Sequence, residues 1–154
     1  MTKLLAFARR VTLAKSVLQA LVTYIMQTTL FPKVVCDDID KACRNFILGH
    51  DSSERKIHLV SWNTICSDKN NGGLGLCKKR YVNQAFMLRA NWQFCQMEAP
   101  IWASILRNKY RCGADSFPTV DSKRAGSNFW RGICFTWDFF FVRMWFGGWG
   151  MVLQ

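Results

Sequence analysis

Phe7-Ala8-Arg9-Arg10-Val11-Thr12-Leu13-Ala14-Lys15-Ser16-Val17-Leu18-Gln19-Ala20-Leu21-Val22-Thr23-Tyr24-Ile25 is the stretch that decides the fold class. Phe7, Val11, Ala14, Leu18, Leu21 and Ile25 recur at intervals of three and four, the pattern of a helix that buries one stripe. Arg9, Thr12, Lys15, Ser16, Gln19 and Thr23 mostly fall away from that stripe. Thr28, Thr29 and Pro32 end the helix, because the residue before a proline is pushed out of the helical region. Pro32 can open a second helix at its first position, where a missing N–H is harmless. Asp37, Asp38 and Asp40 then fall in its early turns, where the dipole favours negative charge. Ile39, Cys43, Phe46 and Ile47 supply its apolar face.

The same reading extends outward. Residues from Gly49 to Lys56 are polar and loop-like. Ile57 to Trp62 suits an extended segment, although Ser61 could instead cap a helical turn holding Trp62 and Ile65. Asn70-Asn71-Gly72-Gly73-Leu74-Gly75 is a turn, since Asn and Gly tolerate positive φ. Lys78 to Met97 reads as a helix with Val82, Ala85, Phe86, Leu88, Trp92 and Cys95 toward a core. Pro100 begins another, carrying Ile101, Trp102, Ile105, Leu106 and Tyr110. Residues 111–127 form a polar loop, and a last helical stretch holds Phe129, Trp130 and Ile133. The expected fold class is therefore mainly α.

The 154-residue chain is half apolar and one fifth charged, enough to build a core, and 21 Lys and Arg against 10 Asp and Glu give it a net charge of +11. That excess favours a polyanionic partner such as nucleic acid or an anionic surface. No apolar run is long enough for a membrane span, and Arg9 and Arg10 break the apolar region a signal peptide needs. Seven cysteines, an odd number without a Cys-x-x-Cys pair, and two histidines, His50 and His58, argue against a disulfide scaffold or a zinc site. The expectation is an intracellular protein with reduced thiols, in the nucleus or cytoplasm, needing no cofactor or metal of its own.

Gly73-x-Gly75 lacks the third glycine of a dinucleotide loop and the Gly-Lys-Ser/Thr of a phosphate-cradling one, so it reads as a structural turn. Asp37-Asp38 invites comparison with paired metal-binding aspartates, yet follows a helix-opening proline rather than lying in a strand hairpin. No cysteine, Cys134 included, has an evident partner base. The basic residues carry the chemical signal. Arg9, Arg10 and Lys15 lie on the first helix, and Lys78-Lys79-Arg80 opens a later helix directly after the glycine turn. Cations there oppose the helix dipole, a cost that a nearby phosphate backbone would reverse.

An ordered set of segments adds a resemblance. Arg10–Ala20 is followed by Tyr24-Ile25-Met26-Gln27, Phe31-Pro32-Lys33, Cys43-Arg44-Asn45-Phe46-Ile47-Leu48-Gly49, His58-Leu59-Val60-Ser61-Trp62 and Lys69–Leu76. Asn83-Gln84-Ala85-Phe86-Met87, Trp102, Lys109-Tyr110 and Asn128-Phe129-Trp130-Arg131-Gly132-Ile133 complete the series. Over residues 5–137 this set resembles the region after the polymerase core in plant non-LTR (LINE-type) retrotransposon reverse transcriptases. The resemblance implies a thumb-like helical bundle over residues 1–50 that holds a template–primer duplex. A loop and glycine turn over 51–77 and a smaller helical connector over 78–137 would follow. The family's catalytic Tyr-x-Asp-Asp would lie upstream, and Tyr81-Val82-Asn83-Gln84 does not match it. Its zinc-binding segment and ribonuclease H part would lie downstream. Magnesium would belong to the polymerase core, and this chain would be no enzyme.

Residues 138–154 are expected to form an irregular aromatic tail, with Phe and Trp making up about half of residues 135–149. The tail departs from the family and is compatible with a shifted reading frame, or with a hydrophobic segment that docks on a protein or membrane surface. The expected contacts to RNA or DNA, all to phosphate, are Arg10, Lys15, Lys69, Lys78, Lys79 and Arg80. The alternative is a basic helical interaction module, or a translated pseudogene without a role.

Overall fold

In the computed structural model the described residues are 6–49, 60–96, 98–113, 118–123 and 126–146. They are mainly α-helical. The expectations for His50, His58, the Gly49–Lys56 loop beyond its first residue, the Ile57–Leu59 segment and residues 147–154 lie outside them. The chain divides into two compact units: Met1–Gln27 with Phe31–Asn83, and Thr28–Leu30 with Gln84–Gln154.

The first unit opens with α1 (Phe7–Leu13), which passes through a π-helical turn (Ala14–Leu18) into α2 (Gln19–Met26). This turn corrects the stripe expected from the sequence. A π turn closes its hydrogen bonds one residue further along than an α turn, so each side chain after it rotates by about one position. Ala14 is buried and Val11 and Leu18 pack beside it. Beyond the turn Met26 is fully buried, whereas Leu21 and Ile25 are 65% and 53% exposed. The inward line runs through the half-buried Val22 and the buried Met26, one residue later than α-helical spacing gives. Phe7 is likewise exposed.

Pro32 stands just outside α3 (Lys33–Leu48), at its N-cap, and Gly49 ends the helix in the left-handed region with φ 71°. Cys36, Asp40, Cys43 and Ile47 form the buried face of α3. Its first turn carries no acid. Asp37 and Asp38 lie past the turn where the dipole acts, and Asp40 faces inward, so the acidic cluster is not a helix-start device. Of the two readings of the following segment, the capped turn is present. In α4 (Trp62–Ile65), Thr64 donates its backbone N–H to Ser61 Oγ at 3.1 Å. Ala14, Ile47, Ile65 and Leu76 form the centre of this unit's core, with Phe46, Trp62, Cys66 and Leu74 against it.

The helix α5 (Lys79–Cys95) contributes Lys79–Asn83 to the first unit and its remainder to the second. Its buried residues are Lys79, Asn83, Met87, Ala90, Asn91 and Phe94. Ala85 is exposed and Trp92 is 40% exposed, against the phase expected from the sequence. Two asparagines on the inward face hide the period. Asn83 donates from Nδ2 to the Met26 carbonyl at 3.1 Å and accepts the Phe31 N–H at 2.8 Å, which satisfies backbone groups left open where α2 stops.

The second unit adds α6 (Ile101–Tyr110) and α7 (Asn128–Phe146). Pro100 is the N-cap of α6. Ile101 and Ile105 face solvent, while Ala103 and Tyr110 are buried and Trp102 and Leu106 pack on the core. That core is aromatic. Tyr110 stacks on Trp130 at 3.9 Å between ring centres, and Phe94 meets Trp130 and Trp137 edge-on at 6.1 Å each. Arg107 donates to the Phe94 carbonyl and lies over its ring. Ser127 Oγ accepts the Trp130 N–H at 3.2 Å and so caps α7. This helix runs on through Phe146, so residues 138–146 are helical rather than irregular. Asn91 anchors it by donating to Thr136 Oγ1 at 2.9 Å and to the Ile133 carbonyl at 3.3 Å.

Replacing Asn83 with alanine leaves the Met26 carbonyl and the Phe31 N–H without their partner. The expected loss is about 1–3 kcal/mol, read as a lower urea midpoint with an unchanged slope. A variant as stable as the wild type would contradict the role given to Asn83.

Candidate nucleic-acid interface

The glycine turn is held from within the first unit. Gly73 and Asn71 donate their N–H groups to the Asp68 carbonyl at 3.0 Å, Gly75 donates to the Ser67 carbonyl at 3.0 Å, and Leu74 donates to the Ile65 carbonyl at 2.9 Å. Gly72 and Gly75 have positive φ, and a Cβ on Gly73 would collide with the Ser67 carbonyl. The turn thus sends Leu74 and Leu76 into the core and leaves backbone carbonyls at its rim.

One of those carbonyls holds an expected cation. The Lys15 ammonium, carried on the π turn, donates to the Leu74 carbonyl at 2.5 Å. Lys69 is exposed, and the stem of its side chain passes over Gly75. The half-buried Lys78 follows directly, its ammonium 5.9 Å from the centre of the Tyr81 ring. Arg80 is exposed on the first turn of α5, where its charge reaches the Cys36 thiol. Arg10 lies apart from this group. Its guanidinium occupies the space a side chain on Gly49 would need, and its Nε is buried without a hydrogen-bond partner.

Lys79 departs from the expectation. It is 2% exposed, and so is withdrawn from any phosphate in this conformation. Its backbone N–H, the first of α5, donates to both carboxylate oxygens of Asp40 at 3.3 Å. The anion that balances the cationic start of α5 is therefore internal, an aspartate of α3. The sequence reading missed Asp40 in this role, although a signal was present. Cys36, Asp40, Cys43 and Ile47 keep helical spacing, which places a carboxylate on an otherwise apolar face.

Burial is the largest influence on Asp40 and raises its carboxyl above the usual range. The Lys79 N–H, the Lys79 charge and the Trp62 indole oppose this rise, and Asp37 adds to it. The indole nitrogen of Trp62 has no partner at ordinary hydrogen-bond geometry. Burial also pushes the thiols of Cys66, Cys95 and Cys134 up to about 11. Such thiols stay protonated near neutrality and make poor nucleophiles. Among the described residues no cluster of His, Cys, Asp and Glu is arranged to hold a metal ion, and no helix is long and apolar enough to cross a membrane.

The chain is similar to two proteins of Arabidopsis thaliana. One, provisionally named as a ribonuclease H protein, is 35% identical over 133 residues, which are 85% of this chain and 21% of that protein. The other, an uncharacterized mitochondrial protein, is 27% identical over 92 residues, 59% of this chain and 60% of its own length. The chain thus spans about a fifth of the first relative and three-fifths of the second. No family model matches it, and no solved structure matches it.

Two substitutions at Asp40 separate its charge from its hydrogen bonds. Asp40→Ala strands the Lys79 N–H and is expected to cost about 1–3 kcal/mol. Asp40→Asn keeps an acceptor and removes the buried charge. With its pKa raised on folding, Asp40 holds its proton more tightly in the folded state, so stability falls as pH rises from the usual carboxylate range through the folded pKa. Urea midpoints across that window should shift in favour of the wild type as pH is lowered, relative to Asp40→Asn. Parallel pH profiles for the two proteins would contradict this account.

Proposed function

We propose that the chain is a piece of a plant non-LTR retrotransposon reverse transcriptase, from the region after the polymerase core. In this reading it retains non-specific binding to nucleic acid and no polymerase activity. The observation that carries the proposal is the 35% identity over most of this chain to a protein named for ribonuclease H, of which it spans 21%. In the family the sequence resembles, the ribonuclease H part lies downstream of this region.

The contact surface in this reading is the rim of the glycine turn and the start of α5. Lys69, Lys78 and Arg80 present charge there, Lys15 is bound to the Leu74 carbonyl of the turn, and Arg10 lies apart from them, beside Gly49. Cations of this kind attract phosphate without reading bases. Among the described residues no cluster of His, Cys, Asp and Glu is arranged to hold a metal ion, and in this reading the magnesium-dependent chemistry resides in the polymerase core of the family.

Fluorescence anisotropy with short single-stranded and duplex RNA and DNA tests the binding. Affinity should fall linearly with salt on a logarithmic scale, and the slope should shrink by about 0.7–0.9 for each phosphate that a variant no longer neutralises. Replacing Lys69, Lys78 and Arg80 together with glutamine should weaken binding across all sequences and flatten that slope. Absence of binding in dilute buffer would sink the proposal, and extension of a primer in magnesium would refute the inactive assignment.

A further inference from the structure

In α7 one face is buried and the opposite face is open. Trp130, Ile133, Thr136 and Phe140 are buried. Arg131, Phe135, Asp138, Phe139 and Val142 fall within an arc of about 80–100° on the other side, given 3.6 residues per turn. All five are exposed, with Phe135 at 63%, Phe139 at 57% and Val142 at 56%. The stripe is about 17 Å long at 1.5 Å per residue. It carries one cation near its start, Arg131, and one anion near its middle, Asp138, two turns apart.

We infer that this face of α7 is the contact between two copies of the chain, packed antiparallel about a two-fold axis beside Phe135. The charges select the occupant. Arg131 and Asp138 lie almost equally far from Phe135 on either side of it. A two-fold axis there sets Arg131 against the partner's Asp138, and Asp138 against the partner's Arg131. The same surface then serves both copies, as an isologous contact requires. Phe135 from each chain meets at the centre, with Phe139 beside it. Parallel packing would bring like charges together. A phosphate backbone or anionic bilayer would meet the Asp138 carboxylate in mid-stripe, which opposes both. At roughly 150–250 Å² per fully covered aromatic side chain, two phenylalanines from each copy, each only a little over half exposed, supply roughly 350–600 Å² of newly covered surface, to which Val142, Arg131 and Asp138 add. The contact is small, which makes the association weak and concentration-dependent.

Sedimentation equilibrium on the full chain over a wide concentration range tests this, with circular dichroism to check that each variant is folded. The wild type should approach twice the monomer mass as concentration rises. Phe135→Asp should abolish the dimer, and Asp138→Arg should weaken it by at least about tenfold. Combining Arg131→Asp with Asp138→Arg should restore much of the affinity, because the pairs re-form with reversed sign. A wild type that stays monomeric would overturn the inference, as would a dimer unaffected by Phe135→Asp. A double variant no better than Asp138→Arg alone would do the same. Binding of the monomer to anionic vesicles or to nucleic acid through this face would also count against it.

Discussion

The Asp40 carboxylate sits on the first N–H of α5, and much of the first unit follows from keeping it there. The start of α5 carries Lys78, Lys79 and Arg80, all of the wrong sign for a helix dipole. An acidic group buried on α3 supplies the missing sign, at the cost of its own desolvation. That cost is visible in the raised pKa of Asp40. The Lys79 N–H keeps its acceptor only while the Asp40 carboxylate stays in place against it, and a buried donor without a partner is costly, so α3 and the first turn of α5 are fixed in register. The turn before α5 must then deliver Leu76 to the core and Lys79 to Asp40 within three residues. This explains why Gly72-Gly73-Leu74-Gly75 is so tightly hydrogen-bonded to Ile65, Ser67 and Asp68.

Helix identity is legible in the sequence and helix phase is not, for reasons that differ between elements. In the first helix the hydrophobic spacing reads as unbroken α periodicity, which the π turn at Ala14–Leu18 interrupts. No residue type signals a π turn, because its insertion is chosen by packing on either side rather than by local propensity. In α5 the obstacle is polar. Composition places Asn83 and Asn91 outside the core, yet Asn83 is buried where it closes backbone groups left open after α2, and Asn91 is buried where its amide donates to the Thr136 hydroxyl and the Ile133 carbonyl of α7. In α7 the aromatic density reads as an irregular tail, although Trp137 and Phe140 continue the same buried face as Trp130 and Ile133.

The candidate surface is half legible. Runs of lysine and arginine locate positive charge, but they do not say which side chains are free to meet a ligand. Lys79 and Lys15 are both committed inside the unit, one buried and one bound to a carbonyl. Lys69, Lys78 and Arg80 are separated from them only by the geometry of the glycine turn and the phase of α5. Helical spacing back from Met87 and Asn83 to Lys79 shows the burial only once the inward asparagines are recognised.

The aromatic core of the second unit shows which effect dominates where two compete. Trp130 is fully buried with its ring nitrogen unpartnered, and Asn91 is fully buried with its carbonyl oxygen unpartnered. Each such group costs about 1–3 kcal/mol. Burying an aromatic side chain of 150–250 Å² at about 25 cal/mol per Å² gives roughly 4–6 kcal/mol. The stacked contact with Tyr110 adds about 0.5–1.5 kcal/mol beyond burial. The balance is favourable for Trp130 without a hydrogen bond. For Asn91 burial gives no such gain, so its place in the core must rest on the two bonds its amide donates to α7. The aromatic residues therefore supply the cohesion of this unit, and the asparagine fixes where along α5 the long helix α7 is held.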